Sequence, residues 1–225
     1  MKKKKIEIFI VILLVILLGL LVIFRFGLKN KPSEKCLADE KIFSIQTEIK
    51  LSERQAKSFQ RIKKELCQDP DNYQALFDLA RLKQDLLDFD GAVSLYQELR
   101  KRKPKDIAVL NNLGALYYNS KKYKKAEEMY QAILKITPKW MPAYTELVNI
   151  YRYHLTEKKK EIEPLLLNGL EKYPEMKQGF IAKLAVYYDE IVPNKSKAIE
   201  YYKKLLQLDP QNTTAAQRLE ELTHQ

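Results

Sequence analysis

Residues 107–140 read IAVLNNLGALYYNSKKYKKAEEMYQAILKITPKW. Leu110, Leu113, Gly114 and Tyr117 fall on one face of a first helix. Ala126, Tyr130 and Ile133 fall on one face of a second; both sets follow helical i, i+3, i+4, i+7 spacing. Gly114 and Ala126 are small enough for paired helices to approach closely, and Tyr117 and Tyr130 fill the space beside them. Pro138 cannot continue a helix, so the second one stops there. The stretch predicts an antiparallel helix pair.

Its neighbours repeat it. Leu76, Leu79 and Ala80, then Ala92, Tyr96 and Leu99, then Pro104 lie 34 residues before their counterparts. Three marker types recurring at one period predict stacked helix pairs rather than an ordinary bundle. The pattern resembles the tetratricopeptide repeat, W-x2-L-G-x2-Y…A-x3-F…P, with Leu110 in the tryptophan slot. The resemblance implies an all-α, right-handed superhelix over 72–210, with repeats at 73–106, 107–140, 141–176 and 177–210. The last two intervals, Pro138 to Pro174 and Pro174 to Pro210, are 36 residues. Two residues are therefore inserted in each, near 154–160 and 191–194. Pro164 must sit in the first turn of its helix or kink it. Residues 211–225 read as a polar-faced terminal helix that caps the stack.

Outward from the repeats, composition sets limits. Few glycines and many Leu, Lys, Glu and Tyr favour an all-α chain of 225 residues. At the amino end, a basic 1–5 precedes a 19-residue run, Ile6–Phe24, apolar except for Glu7 and Gly19. About 20 apolar residues span a bilayer as helix. A core helix would keep a polar stripe. A cleaved signal peptide would have a shorter apolar run followed by small residues. Residues 6–26 are thus expected to be an uncleaved, single-pass transmembrane signal anchor in the lipid bilayer, and 27–36 a basic juxtamembrane linker. Lysines and arginines lie on both sides of the run. The compact amino-terminal cluster favours a cytoplasmic amino terminus, with the repeats outside the cytoplasm; a cytosol-facing domain is the alternative. Residues 1–36 carry +6 of the net +11. The remainder is a mixed surface without the basic stripe of a nucleic-acid binder, so no nucleic-acid partner is expected.

Residues 37–71 read as a degenerate first hairpin. Phe43, Ile45, Thr47, Ile49 and Leu51 alternate like a strand, yet Ile42, Ile45 and Ile49 also fit a helix face. Ser52-Glu53-Arg54-Gln55 is a capping box opening a helix through Cys67, closed by Asp69-Pro70. In a symmetric hairpin turning near 51/52, Cys36 and Cys67 meet at the open end. In an oxidising compartment a disulfide there would staple the hairpin; the alternative is two unrelated thiols.

Catalytic chemistry is not legible. The two histidines, His154 and His224, have no nucleophile or metal-ligand spacing around them, and no glycine-rich phosphate loop exists. Asp88 and Asp90 are turn and helix-start residues rather than a metal loop. The chain is expected to bind rather than catalyse, with no cofactor or metal. The repeat resemblance implies a concave face lined by the first helix of each pair. That face would present Phe77, Arg81, Asn111, Asn112, Tyr118, Asn119, Asn149, Arg152, Tyr153 and Tyr188. Asparagine offers donor and acceptor, and tyrosine adds apolar area with a polar tip, which suits an extended peptide or partner helix. The carboxylate clamp of chaperone-binding tetratricopeptide domains is not expected. Only Asn112 matches it, whereas Arg81 replaces an asparagine and Pro142 and Glu146 stand where basic groups belong. In outline the chain is similar to anchored tetratricopeptide proteins that assist membrane or secretory complexes, which implies an adaptor. A cytosol-facing, import-receptor-like protein is one alternative, and an enzyme with an unrecognised site is the other.

Overall fold

The computed structural model describes residues 51–224, all helical apart from turns. The expected segments 1–5, 6–26 and 27–36, with Cys36 and residues 37–50 of the first hairpin, lie outside the described residues. No helix among the described residues is long and apolar enough to cross a membrane. The chain divides into two compact units, one ending at Leu95 and one beginning at Tyr96.

In the first unit, α1 (Glu53–Gln68) opens on the expected capping box: the Gln55 amide N–H donates to Ser52 Oγ, and the Gln55 side chain accepts from the Ser52 N–H. Helix α2 (Tyr73–Asp85) packs on α1 and starts at Asn72, whose side chain accepts from the Ala75 N–H. Ile62, Leu66, Leu76, Leu79 and Ala80 are the buried stripe between them. Helix α3 (Phe89–Arg102) begins here. Asp88 holds the turn as expected of it, accepting from the Gly91 N–H at 3.0 Å and from the buried Lys83 ammonium at 2.6 Å.

The second unit takes the end of α3 and then α4 (Ile107–Asn119), α5 (Tyr123–Ile136), α6 (Met141–Tyr153), α7 (Lys159–Lys172), α8 (Lys177–Val186), α9 (Lys195–Leu208) and α10 (Thr213–His224). Consecutive helices pack in pairs: α4 on α5, α6 on α7, α8 on α9, with α10 against α9. The repeat markers Leu110, Leu113, Gly114, Tyr117, Ala126, Tyr130 and Ile133 are all buried. Glycines are fixed by contact at two points. A methyl group on Gly114 would meet the Tyr130 ring, and one on Gly169 would meet Phe180.

The turn after each first helix also repeats. Helices α2 and α4 both end in a left-handed residue, Leu87 at φ 63° and Lys121 at φ 58°. The next N–H reaches back five residues, from Asp88 to the Lys83 carbonyl and from Lys122 to the Tyr117 carbonyl, each at 2.8 Å. This is the Schellman closure, usually made with glycine. In the two longer repeats the extra residues go elsewhere. A 3-10 turn, Thr156–Lys158, precedes α7, and a π turn, Tyr187–Ile191, follows α8. Of the two outcomes expected for Pro164, a place in the first turn of α7 is not the one found: it lies further inside the helix, at an exposed site. The proline has no N–H to give the Lys160 carbonyl, and solvent can take its place.

Candidate interaction face

The first helices of the second unit, α4, α6 and α8, share one buried pattern. Leu113, Leu147 and Leu184 occupy the same slot, as do Tyr117, Tyr151 and Tyr188. The spacing is 34 residues from α4 to α6 but 37 from α6 to α8, one more than the proline interval.

That extra residue corrects one expected groove position. Tyr188 is only 3% exposed and cannot line a groove. It occupies the buried tyrosine slot that the proline spacing would have given to Tyr187. Each tyrosine in this slot reaches the preceding second helix. Gln97 Nε2 donates to the Tyr117 hydroxyl at 2.7 Å. The Tyr151 hydroxyl donates to Glu127 at 2.7 Å, and Gln131 and Lys158 also donate to Glu127, at 3.0 and 2.5 Å. The Tyr188 hydroxyl donates to Glu163 and accepts from Lys197 at 3.0 Å. Burial pushes the Tyr151 hydroxyl well above its ordinary range, and the neighbouring Glu127 carboxylate adds to this.

The other expected residues of this unit remain at least partly open. Asn111, Asn112, Tyr118, Asn149 and Arg152 are half-buried, while Asn119 and Tyr153 are exposed. Asn112 spends one amide hydrogen on the Ala108 carbonyl at 2.9 Å, leaving its oxygen for a partner. Arg152 pairs with Glu190 at 2.7 Å and its guanidinium lies 4.8 Å from the Tyr153 ring centroid. Tyr118 is hydrogen-bonded to His154 Nε2 at 2.9 Å, and His154 stacks on Tyr123 with ring centroids 3.8 Å apart.

Sequence reasoning missed the centre of this face. With the spacings of 34 and 37, Asn112, Glu146 and Lys183 occupy equivalent positions on α4, α6 and α8. Burial lowers the Lys183 pKa while the field of Glu146 raises it. Burial raises the Tyr118 pKa, helped by Tyr123 and by the same Glu146. One carboxylate is therefore felt by groups on both flanking helices. Glu146 was legible only as an obstacle to a carboxylate clamp, and Lys183 was hidden by the one-residue shift in α8. The third missed residue, His154, sits in the inserted turn, where no period points.

Phe77 and Arg81 belong to the first unit. Phe77 is half-buried. Arg81 is exposed, 3.9 Å from Asp78, which also accepts from Arg61 at 2.7 Å. Arg61, Asp78, Arg81 and Asp85 line a cleft of about 540 Å³ between α1 and α2. Cys67 is disulfide-bonded. Among the described residues no group of three or more His, Cys, Asp or Glu side chains could hold a metal ion.

Comparison with known proteins agrees with the fold. Residues 87–149 and 194–212 match family models described as tetratricopeptide repeat. A tetratricopeptide repeat protein from Parabacteroides merdae superposes with a TM-score of 0.58 at 18% identity, over 72% of this chain and 63% of that one. YrrB, described as a TPR protein with an unusual peptide-binding site, gives 0.51 at 14% identity, over 72% and 81%. At these identities the likeness is one of fold. Human protein O-mannosyl-transferase TMTC3 is 28% identical over 138 residues, which cover 55% of this chain. The chain spans only 15% of the length of that relative. The described residues are helical throughout apart from turns, and two stretches of them, 87–149 and 194–212, match the tetratricopeptide repeat.

Proposed function

We propose that this protein is a membrane-anchored scaffold that holds a protein or extended peptide on the face of α4, α6 and α8, in the assembly of a membrane or secretory complex. The observation that carries this reading is the line Asn112, Glu146, Lys183. Three side chains at equivalent positions on successive first helices present an amide, a carboxylate and a half-buried ammonium. Lys183 makes no ion pair among the described residues. A half-buried cation without a bonded anion gains from a carboxylate or carbonyl brought by a partner. YrrB, with the same fold, is described by its peptide-binding site. The neighbouring Asn149 and Tyr118 offer the amide and amphipathic ring that suit a peptide backbone.

The apolar run Ile6–Phe24 supports a single anchoring span in the bilayer. The disulfide at Cys67 supports placing the repeats on an oxidising, extracytoplasmic side. Photo-crosslinkers at Asn149 and Tyr118 in intact cells should capture one discrete partner, and Lys183→Glu should abolish capture. Capture unchanged by that substitution would overturn the groove reading. Labelling of the cysteines by a membrane-impermeant maleimide only after reduction supports the outside placement and the staple. Free thiols that label only after lysis would put the repeats in the cytosol.

A further inference from the structure

The turns joining α4 to α5, α6 to α7 and α8 to α9 form one edge of the second unit. Contacts between them fix this: Tyr123 stacks on His154, Lys158 bonds Glu127 at 2.5 Å, and Arg152 bonds Glu190 at 2.7 Å. Lysines crowd the edge. Lys121, Lys122, Lys124, Lys159, Lys160 and Lys195 make no ion pair among the described residues, and all but the half-buried Lys159 are exposed. The exposed acids of these turns are fewer: Glu157, Glu161 and Glu190, the last already tied to Arg152.

Stability does not account for this placement. The lysines precede or open α5, α7 and α9, where the positive end of each helix dipole opposes them. Lys122 and Lys158 stand at N-cap positions without making a side-chain cap, and neither α5 nor α9 has an acidic residue in its first turn. Two exposed apolar or aromatic side chains accompany them, Tyr153 at 57% and Val192 at 43% exposure. Unpaired lysines beside a tyrosine and an aliphatic tip match the chemistry of a bilayer interface, where ammonium groups meet lipid phosphates and rings sit at headgroup level. An acidic peptide would use the lysines but not Val192.

We infer that this edge docks on an anionic lipid surface. The inference is separable from the groove reading by its cations: the edge lysines lie in and beside the turns, Lys183 lies on the first-helix face, and Tyr153, at the end of α6, borders both. The probe is the full chain carrying Val192→Trp and Trp140→Phe, so that the only tryptophan is on the edge. It is reconstituted with vesicles of phosphatidylcholine alone, or of phosphatidylcholine and phosphatidylglycerol, with brominated lipid as quencher in both. Quenching is expected to be stronger on the anionic vesicles and to fall as salt is raised. Each of Lys121, Lys122, Lys159 and Lys160 changed to Glu is expected to weaken the anionic component at least about five-fold. Flotation with pure phosphatidylcholine scores the amino-terminal anchor separately. Flotation on both vesicle types with equal, salt-insensitive quenching keeps the anchor and overturns the edge. Salt-sensitive flotation on anionic vesicles only supports the edge and removes the anchor. Binding to poly-glutamate with no preference for anionic vesicles overturns the lipid assignment in favour of an acidic protein.

Discussion

Leu87 and Lys121 adopt a backbone conformation that costs an L-amino acid with a full side chain roughly 1–2 kcal/mol. Leu87 is also 72% exposed, so no packing offsets the cost. Asparagine tolerates the left-handed region better. Leu87→Asn and Lys121→Asn are each expected to stabilise by about 0.5–1 kcal/mol, read as a rise in the denaturation midpoint at constant slope. The buried tyrosines predict the opposite sign. Tyr151→Phe leaves the buried Glu127 without its hydroxyl donor and should cost about 1–3 kcal/mol by chemical denaturation. These tyrosines also show how far single residues can be read from sequence. Tyr117 and Tyr151 were legible because their period matches that of the prolines. Tyr188 was not, because side-chain direction turns by about 100° per helical residue. A shift of one residue therefore carries Tyr188 from its expected open position into the tyrosine slot, and Tyr187 beside it is buried as well.

At the scale of helices, the ends were more legible than the middles. A capping box is local chemistry within four residues, so Ser52 and Gln55 announced α1 without help from the fold. Pro164 was not predictable in the same way, since whether a helix runs through a proline depends on what packs around it. The terminal helix α10 is tied back by Arg218, whose guanidinium donates to both Asp189 oxygens, at 2.6 and 2.9 Å. The Tyr202 hydroxyl donates to the same carboxylate at 3.0 Å. The Arg218 hydrogen bonds hold Asp189 below the usual carboxylate range, against an opposing effect of burial. A carboxyl with a depressed folded pKa contributes stability that is full above its unfolded value and is lost as pH falls through the folded value. The tie of α10 is therefore expected to survive mild acid and fail below the ordinary carboxylate range. Arg218→Gln should move the acid-unfolding midpoint upward, followed by circular dichroism along a pH titration. No such shift would mean that Asp189 is held by something other than Arg218.

For the molecule, the fold was legible and the site largely was not. Repeat positions are restricted to a few residue types by packing: small where helices touch, aromatic where they part, proline where they turn. Face positions carry no such restriction, so Asn112, Glu146 and Lys183 share a position but not a chemistry. Lys183→Glu, placed in the field of Glu146, should end partner capture, and a melting experiment that shows the helices still folded separates this from loss of the fold. The tyrosine contacts have a further consequence for how such a chain can be edited. Tyr117 finds an amide on the helix before it, Tyr151 a carboxylate shared with a lysine from the next turn, and Tyr188 a carboxylate shared with a lysine from its own pair. Each unit thus carries a plug cut for one socket. A duplicated, deleted or shuffled unit would bring a tyrosine to a helix with the wrong counterpart, and the order of these repeats is not interchangeable.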